Sequence, residues 1–191
     1  MPDTKYVPAR ILEGLRYKII DDYSVLANLS KAIKSIGGKV VVTIGTWDAL
    51  HVGHARYIRR ASEEGNILIA GVDTDRAVKL YKDASRPLIP YEERAEMLIH
   101  LRYADFVTPV DDVEINPDDG KPYWKYGLIK AVRPDIFIAV VDSYPDWQLE
   151  EIRRYVGEIK VLQRQAETST SAIIRKRLIA DAKKKGGKKK K

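Results

Sequence analysis

The sequence predicts an α/β chain built on a doubly wound, Rossmann-like, five-stranded parallel sheet. Three observations predict it. Five short apolar runs, at residues 39–44, 66–72, 105–110, 136–141 and 158–163, alternate with segments of helical spacing along one chain. The first two runs are apolar throughout instead of alternating, as in strands covered on both faces. Glycines stand where helices should stop, at Gly37, Gly38 and Gly65. In such sheets a ligand sits beyond the carboxyl ends of the strands, at the point where strand order reverses.

Taken in order, residues 1–23 form an N-terminal extension. Ile11, Leu12, Leu15, Ile19 and Ile20 give it partial helical spacing, and it should cover one sheet edge or join a dimer contact. Residues 24–182 form the folded domain. Ser24 caps a helix with Val25, Leu26, Leu29, Ile33 and Ile36 inward. After the first strand and a glycine-containing loop, a helix runs from about His54 to Glu64. The second strand leads to a short helix over 73–81, a proline-bearing loop over 82–90 and a helix over 91–102. The third strand is followed by an acidic, turn-rich insertion over 111–121, exposed, and a helix over 123–132. The fourth strand, a helix over 147–156, the fifth strand and a C-terminal helix over 169–182 complete the chain. Residues 183–191 are a lysine-rich, disordered tail.

Composition narrows the function classes. The chain has 191 residues, 45% of them hydrophobic, enough for a sizeable core. No apolar run approaches the roughly 20 residues of a membrane span, and Met1 to Arg10 carries no signal-peptide pattern. There are no cysteines, hence no disulfides and no thiolate metal site, in keeping with a cytoplasmic protein. The net charge of +7 equals the seven lysines of the tail, so the basicity does not belong to a folded face. The tail reads as a solubilising segment, or as a weak contact for nucleic acid or anionic lipid; no zinc spacing or interleaved aromatic pattern supports a nucleic-acid module.

The chain is organised around Thr43-Ile44-Gly45-Thr46-Trp47-Asp48-Ala49-Leu50-His51-Val52-Gly53-His54. Two of the three histidines, His51 and His54, stand where a buried strand gives way to a helix N-terminus. That terminus offers unpaired N–H groups and positive partial charge to a phosphate. Imidazoles donate to phosphoryl oxygens, and Gly53 lets the backbone approach them. A two-histidine zinc site is the competing reading, with Asp48 as the nearby carboxylate.

These residues resemble the HxGH signature of the cytidylyltransferase-like nucleotidyltransferase family. Gly45-Thr46-Trp47-Asp48 is similar to its G-[ST]-F-D run, with Trp47 where Phe is usual. Tyr91-Glu92-Glu93-Arg94 resembles its Y-E-x-R segment, and Ser169-Thr170-Ser171-Ala172-Ile173-Ile174 its S-T-[ST]-x-I-I motif. The resemblance spans about Ser24 to Leu178 and implies the HxGH nucleotidyltransferase fold. It implies that His51 and His54 contact nucleotide phosphates, with Gly45 admitting the nucleotide and Thr46 donating a hydroxyl. Asp48 would orient the loop. Lys82, or else Lys79, would bind a phosphate. Arg94 would reach a phosphate or pair with a surface glutamate. Arg164 and Arg175 would approach the triphosphate, as would the helix start at Ser169, Thr170 and Ser171. After the fourth strand this sequence departs from the family's G-x-D pattern: Val141-Asp142 replaces the glycine, with Asp142 and Trp147 still able to line the pocket.

The expected activity is transfer of a nucleotidyl group from ATP or CTP to a small phosphorylated acceptor, with pyrophosphate released and Mg²⁺ as cofactor. The pattern from Gly38 to Pro87 is most similar to heptose-1-phosphate adenylyltransferases, whereas Arg164 and Ser169-Thr170-Ser171 also resemble glycerol-phosphate and choline-phosphate cytidylyltransferases. No kinase domain precedes the motif, so a stand-alone, homodimeric transferase is expected. The alternative is a catalytically silent nucleotide-binding or RNA-associated protein on the same fold, suggested by the departure after Val140 and by the lysine tail.

Overall fold

The alternation of apolar strands and amphipathic helices folds as the spacing requires. The computed structural model describes residues 15–82, 85–167, 172 and 176. Five parallel strands, β1 (Val40–Gly45), β2 (Ile67–Asp73), β3 (Phe106–Val110), β6 (Ile136–Val140) and β7 (Glu158–Leu162), pair in the order β3-β2-β1-β6-β7. The chain leaves β1 toward β2 and β3, then returns to pair β6 on the other side of β1. The switch point therefore lies at the carboxyl ends of β1 and β6. A separate antiparallel hairpin joins β4 (Val113–Ile115) to β5 (Pro122–Trp124).

Successive residues of each strand face opposite layers. Val41, Leu68, Ala70 and Ile138 face α2 (Val52–Ser62) and α4 (Tyr91–Ile99), packing with Ile58, Ala61 and Leu98. Val40, Val42, Ile69 and Phe137 face the other layer. There they pack with Leu26 of α1 (Tyr23–Ser35), Leu128 and Ile129 of α5 (Gly127–Val132) and Ile152 of α6 (Asp146–Arg153). Burial on both faces explains why these strands carry no polar alternation. A short helix, α3 (Asp75–Tyr81), follows β2.

The sequence expectations need correction at three places. Asp22, not Ser24, caps α1: its carboxylate accepts from the Ser24 N–H at 2.7 Å, because Ser24 already lies within the first turn. The insertion over 111–121 is not simply exposed: Val113 is buried at 1% exposure, and the turn closes a hairpin with Pro122–Trp124. The helix expected from Tyr123 consequently begins at Gly127. The described part of the N-terminal arm, from Leu15 on, lies along a sheet edge, one of the two roles expected of the arm: Ile19 bridges β3 at Val107, and Lys18 Nζ donates to the Ala104 carbonyl at 3.0 Å. Of the expected C-terminal helix only residues 172 and 176 are described, both helical, and the lysine tail lies outside the described residues.

Candidate active site

At the carboxyl ends of β1, β2 and β6 the layers part to leave a cleft of about 640 Å³. Its lining includes His51, His54, Lys82 and Arg164. It also includes the aromatic residues Trp124, Tyr126 and Tyr144. The cleft thus combines two basic side chains and an imidazole pair with aromatic surface.

His51 is the N-cap of α2. Its Nδ1 accepts from the Gly53 N–H at 3.1 Å, and its own backbone N–H donates to His54 Nδ1 at 3.3 Å, a reciprocal capping box. The two rings lie 4.1 Å apart between centroids. A ring nitrogen that accepts a hydrogen bond carries no proton, so each neutral imidazole holds its proton on Nε2. Burial lowers the pKa of both. His54 falls to about 4, through desolvation first and then the neighbouring His51. The sequence left histidine charge open; the geometry selects two neutral donors at a helix N-terminus. Gly53 permits it, because a Cβ there would meet His51 Cε1 at 2.7 Å.

The residues before the histidines brace this arrangement. Trp47 adopts a left-handed backbone (φ 55°), and its indole N–H donates to the Gly71 carbonyl at 2.8 Å, a bond no phenylalanine could make. Its ring packs so closely that a Cβ on Gly45 would lie 3.2 Å away. Asp48 is buried and accepts from Arg86 Nε at 2.7 Å and from the backbone N–H groups of Leu88 and Ile89. It therefore fastens the loop before α4 to the histidine loop, a structural version of the expected orienting role.

Lys82 and Thr46 line the cleft, whereas Lys79 is exposed on α3. Lys82 Nζ donates to Thr46 Oγ1 at 2.7 Å. Burial lowers the Lys82 pKa, and the charge of Asp73 opposes that shift. Arg94 has neither expected environment. It is 1% exposed, and its guanidinium donates to the carbonyls of Thr46 and Ile89 and to the Asp75 carboxylate at 2.6 Å. With those three acceptors it braces the loop from behind and does not line the cleft. Asp142 does line it, again with a left-handed backbone (φ 63°), and so does Arg164. Trp147 is exposed at the rim, with its ring 6.1 Å from that of Trp124. Ser169, Thr170, Ser171 and Arg175 lie outside the described residues.

Sequence reasoning missed Asp73 and Tyr81. Asp73 ends β2 beneath Thr46, and the Tyr81 hydroxyl donates to its carboxylate at 2.5 Å. An aspartate closing the second parallel strand, at the ligand end of the sheet, was the available signal. It missed Asp112 as well, because the insertion read as a solvent loop, and Trp124, because residues 123–132 read as one helix.

The match to known proteins agrees with this geometry. Residues 42–177 match the family described as Cytidylyltransferase-like. The Bifunctional protein HldE of Geobacter sulfurreducens is 33% identical over 182 residues, covering 91% of this chain and 35% of that protein. The protein of the same name from Methylobacillus flagellatus is 36% identical over 143 residues, 73% of this chain and 27% of that one. The chain thus spans about a third of the length of these relatives. Among solved structures, the lipopolysaccharide core biosynthesis protein from Thermoplasma volcanium superposes with a TM-score of 0.52 at 19% identity, over 70% of this chain and all of that one, a likeness of fold. With HxGH at a helix start beyond β1 and a family match over most of its length, the chain belongs to the cytidylyltransferase-like nucleotidyltransferase family.

Proposed function

We propose that this chain transfers a nucleotidyl group from ATP or CTP to a small sugar phosphate and releases pyrophosphate. The observation that carries the reading is the histidine pair, two neutral imidazoles locked through Nδ1 at a helix N-terminus that opens on the cleft. In the reaction an oxygen of the acceptor phosphate attacks the α-phosphorus of the nucleotide. A new P–O bond forms as the bond to the β-phosphate oxygen breaks, and both electrons leave with pyrophosphate. Such a transfer asks the protein for in-line positioning and for stabilisation of charge on the equatorial oxygens. The Nε2–H groups of His51 and His54 and the α2 terminus would hold the α-phosphate. Lys82 would bridge donor and acceptor phosphates, with Arg164 toward the leaving group.

The aromatic surface supports a sugar as the group behind the acceptor phosphate. Trp124, carried over the cleft by the hairpin, offers a flat face for a sugar ring, and Asp112 lines the same pocket with oxygens for its hydroxyls. The resemblance to heptose-1-phosphate adenylyltransferases favours the same acceptor class and ATP as donor.

Magnesium suits the donor set in a limited way. Among the described residues no three His, Cys, Asp or Glu side chains form a metal cage. The carboxylates of Asp48 and Asp73 are held by Arg86 and Tyr81. Asp142 is the cleft carboxylate we assign to an ion that arrives on the triphosphate, since Mg²⁺ uses few protein ligands and several phosphate or water oxygens. Bound there, it would neutralise charge on the leaving pyrophosphate.

The test is pyrophosphate release with magnesium and ATP or CTP, against sugar 1-phosphates, glycerol 3-phosphate and choline phosphate. Release with a sugar phosphate, lost in the His51→Ala/His54→Ala double variant with the fold intact, supports the reading. Release only with another acceptor overturns the sugar assignment. Binding of nucleotide without release from any pair overturns the transferase assignment and favours the catalytically silent alternative.

A further inference from the structure

Beside Lys82, in the lining of the same cleft, lies a set of polar groups bonded to one another. The Tyr81 hydroxyl donates to Asp73 Oδ2 at 2.5 Å. Thr46 Oγ1 lies 2.9 Å from the Tyr81 hydroxyl oxygen and 3.4 Å from Asp73 Oδ2, and Lys82 Nζ donates to Thr46 Oγ1 at 2.7 Å. Asp73 and Thr46 are buried, at 8% and 7% exposure.

The proton directions follow from chemistry. An ammonium can only donate, and an ionised carboxylate can only accept. Each hydroxyl between them has one proton to give. Tyr81 spends its proton on Asp73, so the Thr46 hydroxyl must donate onward, to the Tyr81 oxygen or to Asp73, while accepting from Lys82. The bonds run one way: Lys82 to Thr46, Thr46 to Tyr81, Tyr81 to Asp73. Two neutral hydroxyls thereby link a buried cation to a buried anion, and polarisation along such a chain strengthens each bond.

We propose that Tyr81 and Asp73 are positioning residues, which aim the Lys82 ammonium into the cleft through Thr46. Neither needs to touch substrate. Without the tyrosine hydroxyl the Thr46 proton loses its near partner, and Asp73 loses its 2.5 Å donor. The four-carbon stem of Lys82 has many rotamers open to it, and besides the Thr46 bond its ammonium lies 5.4 Å from the centroid of the Tyr81 ring, which Tyr81→Phe retains. The consequence for transfer rests on the reading of this cleft as a nucleotidyltransferase site; the chain of bonds does not.

Other charges around Lys82 bear on its titration. Asp48, from the histidine loop, raises its pKa as Asp73 does, and Arg86 and Arg94, from the loop and helix beyond, lower it. Removing the Asp73 charge therefore lowers it further. Removing the Tyr81 hydroxyl acts in the same direction, because the Thr46 oxygen that accepts from the ammonium is then no longer polarised by the chain of bonds that ends on Asp73.

The experiment is competitive labelling of the full-length chain with trace acetic anhydride from neutral to alkaline pH, with Lys82 acetylation read by mass spectrometry against exposed Lys79. Only the neutral amine reacts. Tyr81→Phe and Asp73→Asn should move the Lys82 profile to lower pH, raising its labelling at a fixed subsaturating pH about threefold or more, which corresponds to about half a pKa unit. Tyr23→Phe, which removes a hydroxyl bonded to the Pro109 carbonyl on another element, should leave it unchanged. In parallel, Tyr81→Phe should lower kcat with the nucleotide KM little altered. An unmoved Lys82 profile in both variants overturns the positioning role even if the wild-type chain transfers nucleotide. A profile that moves in the variants, with a wild-type chain that transfers nothing, would retain the bonded chain and discard the enzymatic reading. Should Asp73→Asn fail to fold, Tyr81→Phe alone decides.

Discussion

Replacing His54 with glutamine separates its charge from its capping role. Glutamine at the third helical position accepts from the N-cap N–H as the imidazole does, but it does not titrate. Burial and His51 hold the folded-state pKa of His54 at about 4, against an ordinary value of 6.5. The depressed value means that the folded chain refuses a proton the unfolded chain accepts. Acid therefore favours unfolding as pH falls through 6.5, and the loss is complete only below about 4. The full difference of some two and a half units corresponds to about 3 kcal/mol, of which about 1.4 kcal/mol is lost by pH 5.5. Urea unfolding of both proteins at pH 7.5, 6.5, 5.5 and 4.5 isolates this contribution, because His51 and the carboxylates titrate in both. The wild type should lose stability relative to His54→Gln as pH falls, starting near pH 6.5. Parallel loss in the two proteins would refute the claim that His54 is held neutral, and with it the assignment of Nε2–H as a neutral phosphate donor.

Two further outcomes follow from the same geometry. Arg94→Met strands the carbonyls of Thr46 and Ile89 and should cost about 3 kcal/mol or more in urea unfolding, whereas Arg59→Ala on the exposed flank of α2 should leave the midpoint unchanged. A small effect at Arg94 would contradict its bracing role. Gly53→Ala places a methyl 2.7 Å from His51 Cε1 and should cut transfer at least about tenfold by displacing that ring. Its stability should change by no more than about 1 kcal/mol, since alanine also improves the helix; undiminished turnover would show that the ring's position is immaterial.

The fold was legible because strands buried on both faces must be apolar at every position. Val40-Val41-Val42 and Ile67 to Val72 cannot belong to a sheet with one wet face. The hairpin was not legible. Asn116-Pro117-Asp118-Asp119-Gly120 marks a turn, and Asp118 N–H bonds Asn116 Oδ1 at 2.9 Å as turn chemistry predicts. Yet nothing local shows that Val113 is buried and Trp124 lines a cleft, since what holds Trp124 there includes long-range contact with the Tyr81 ring of α3. Ser24 and Asp22 illustrate a finer limit: both are good caps two residues apart, and the backbone, not the residue type, decides between them.

The site was half legible, and the missing half has a physical reason. His51, His54, Gly53 and Lys82 announce themselves by residue type beside a strand end. The conformations that aim them do not. Trp47, Ala49, Tyr126 and Asp142 all have left-handed backbones, and three of these four line the cleft. For a tryptophan or a tyrosine that conformation costs about 1–3 kcal/mol, and it persists only where the surroundings impose it. Around Trp47 the imposing contacts are visible: the indole bond to Gly71 and the Arg94 bond to the Thr46 carbonyl, one residue earlier. Asp142 belongs to the Val141-Asp142 pair that stands in place of the pattern's glycine, and its backbone is left-handed, a conformation that glycine favours and aspartate tolerates better than most residues. The departure from the G-x-D pattern thus still leaves a turn of the kind a glycine suits. A reading by residue type registers only the lost glycine; the backbone registers what that reading cannot, a left-handed turn that still carries a carboxylate into the lining of the cleft.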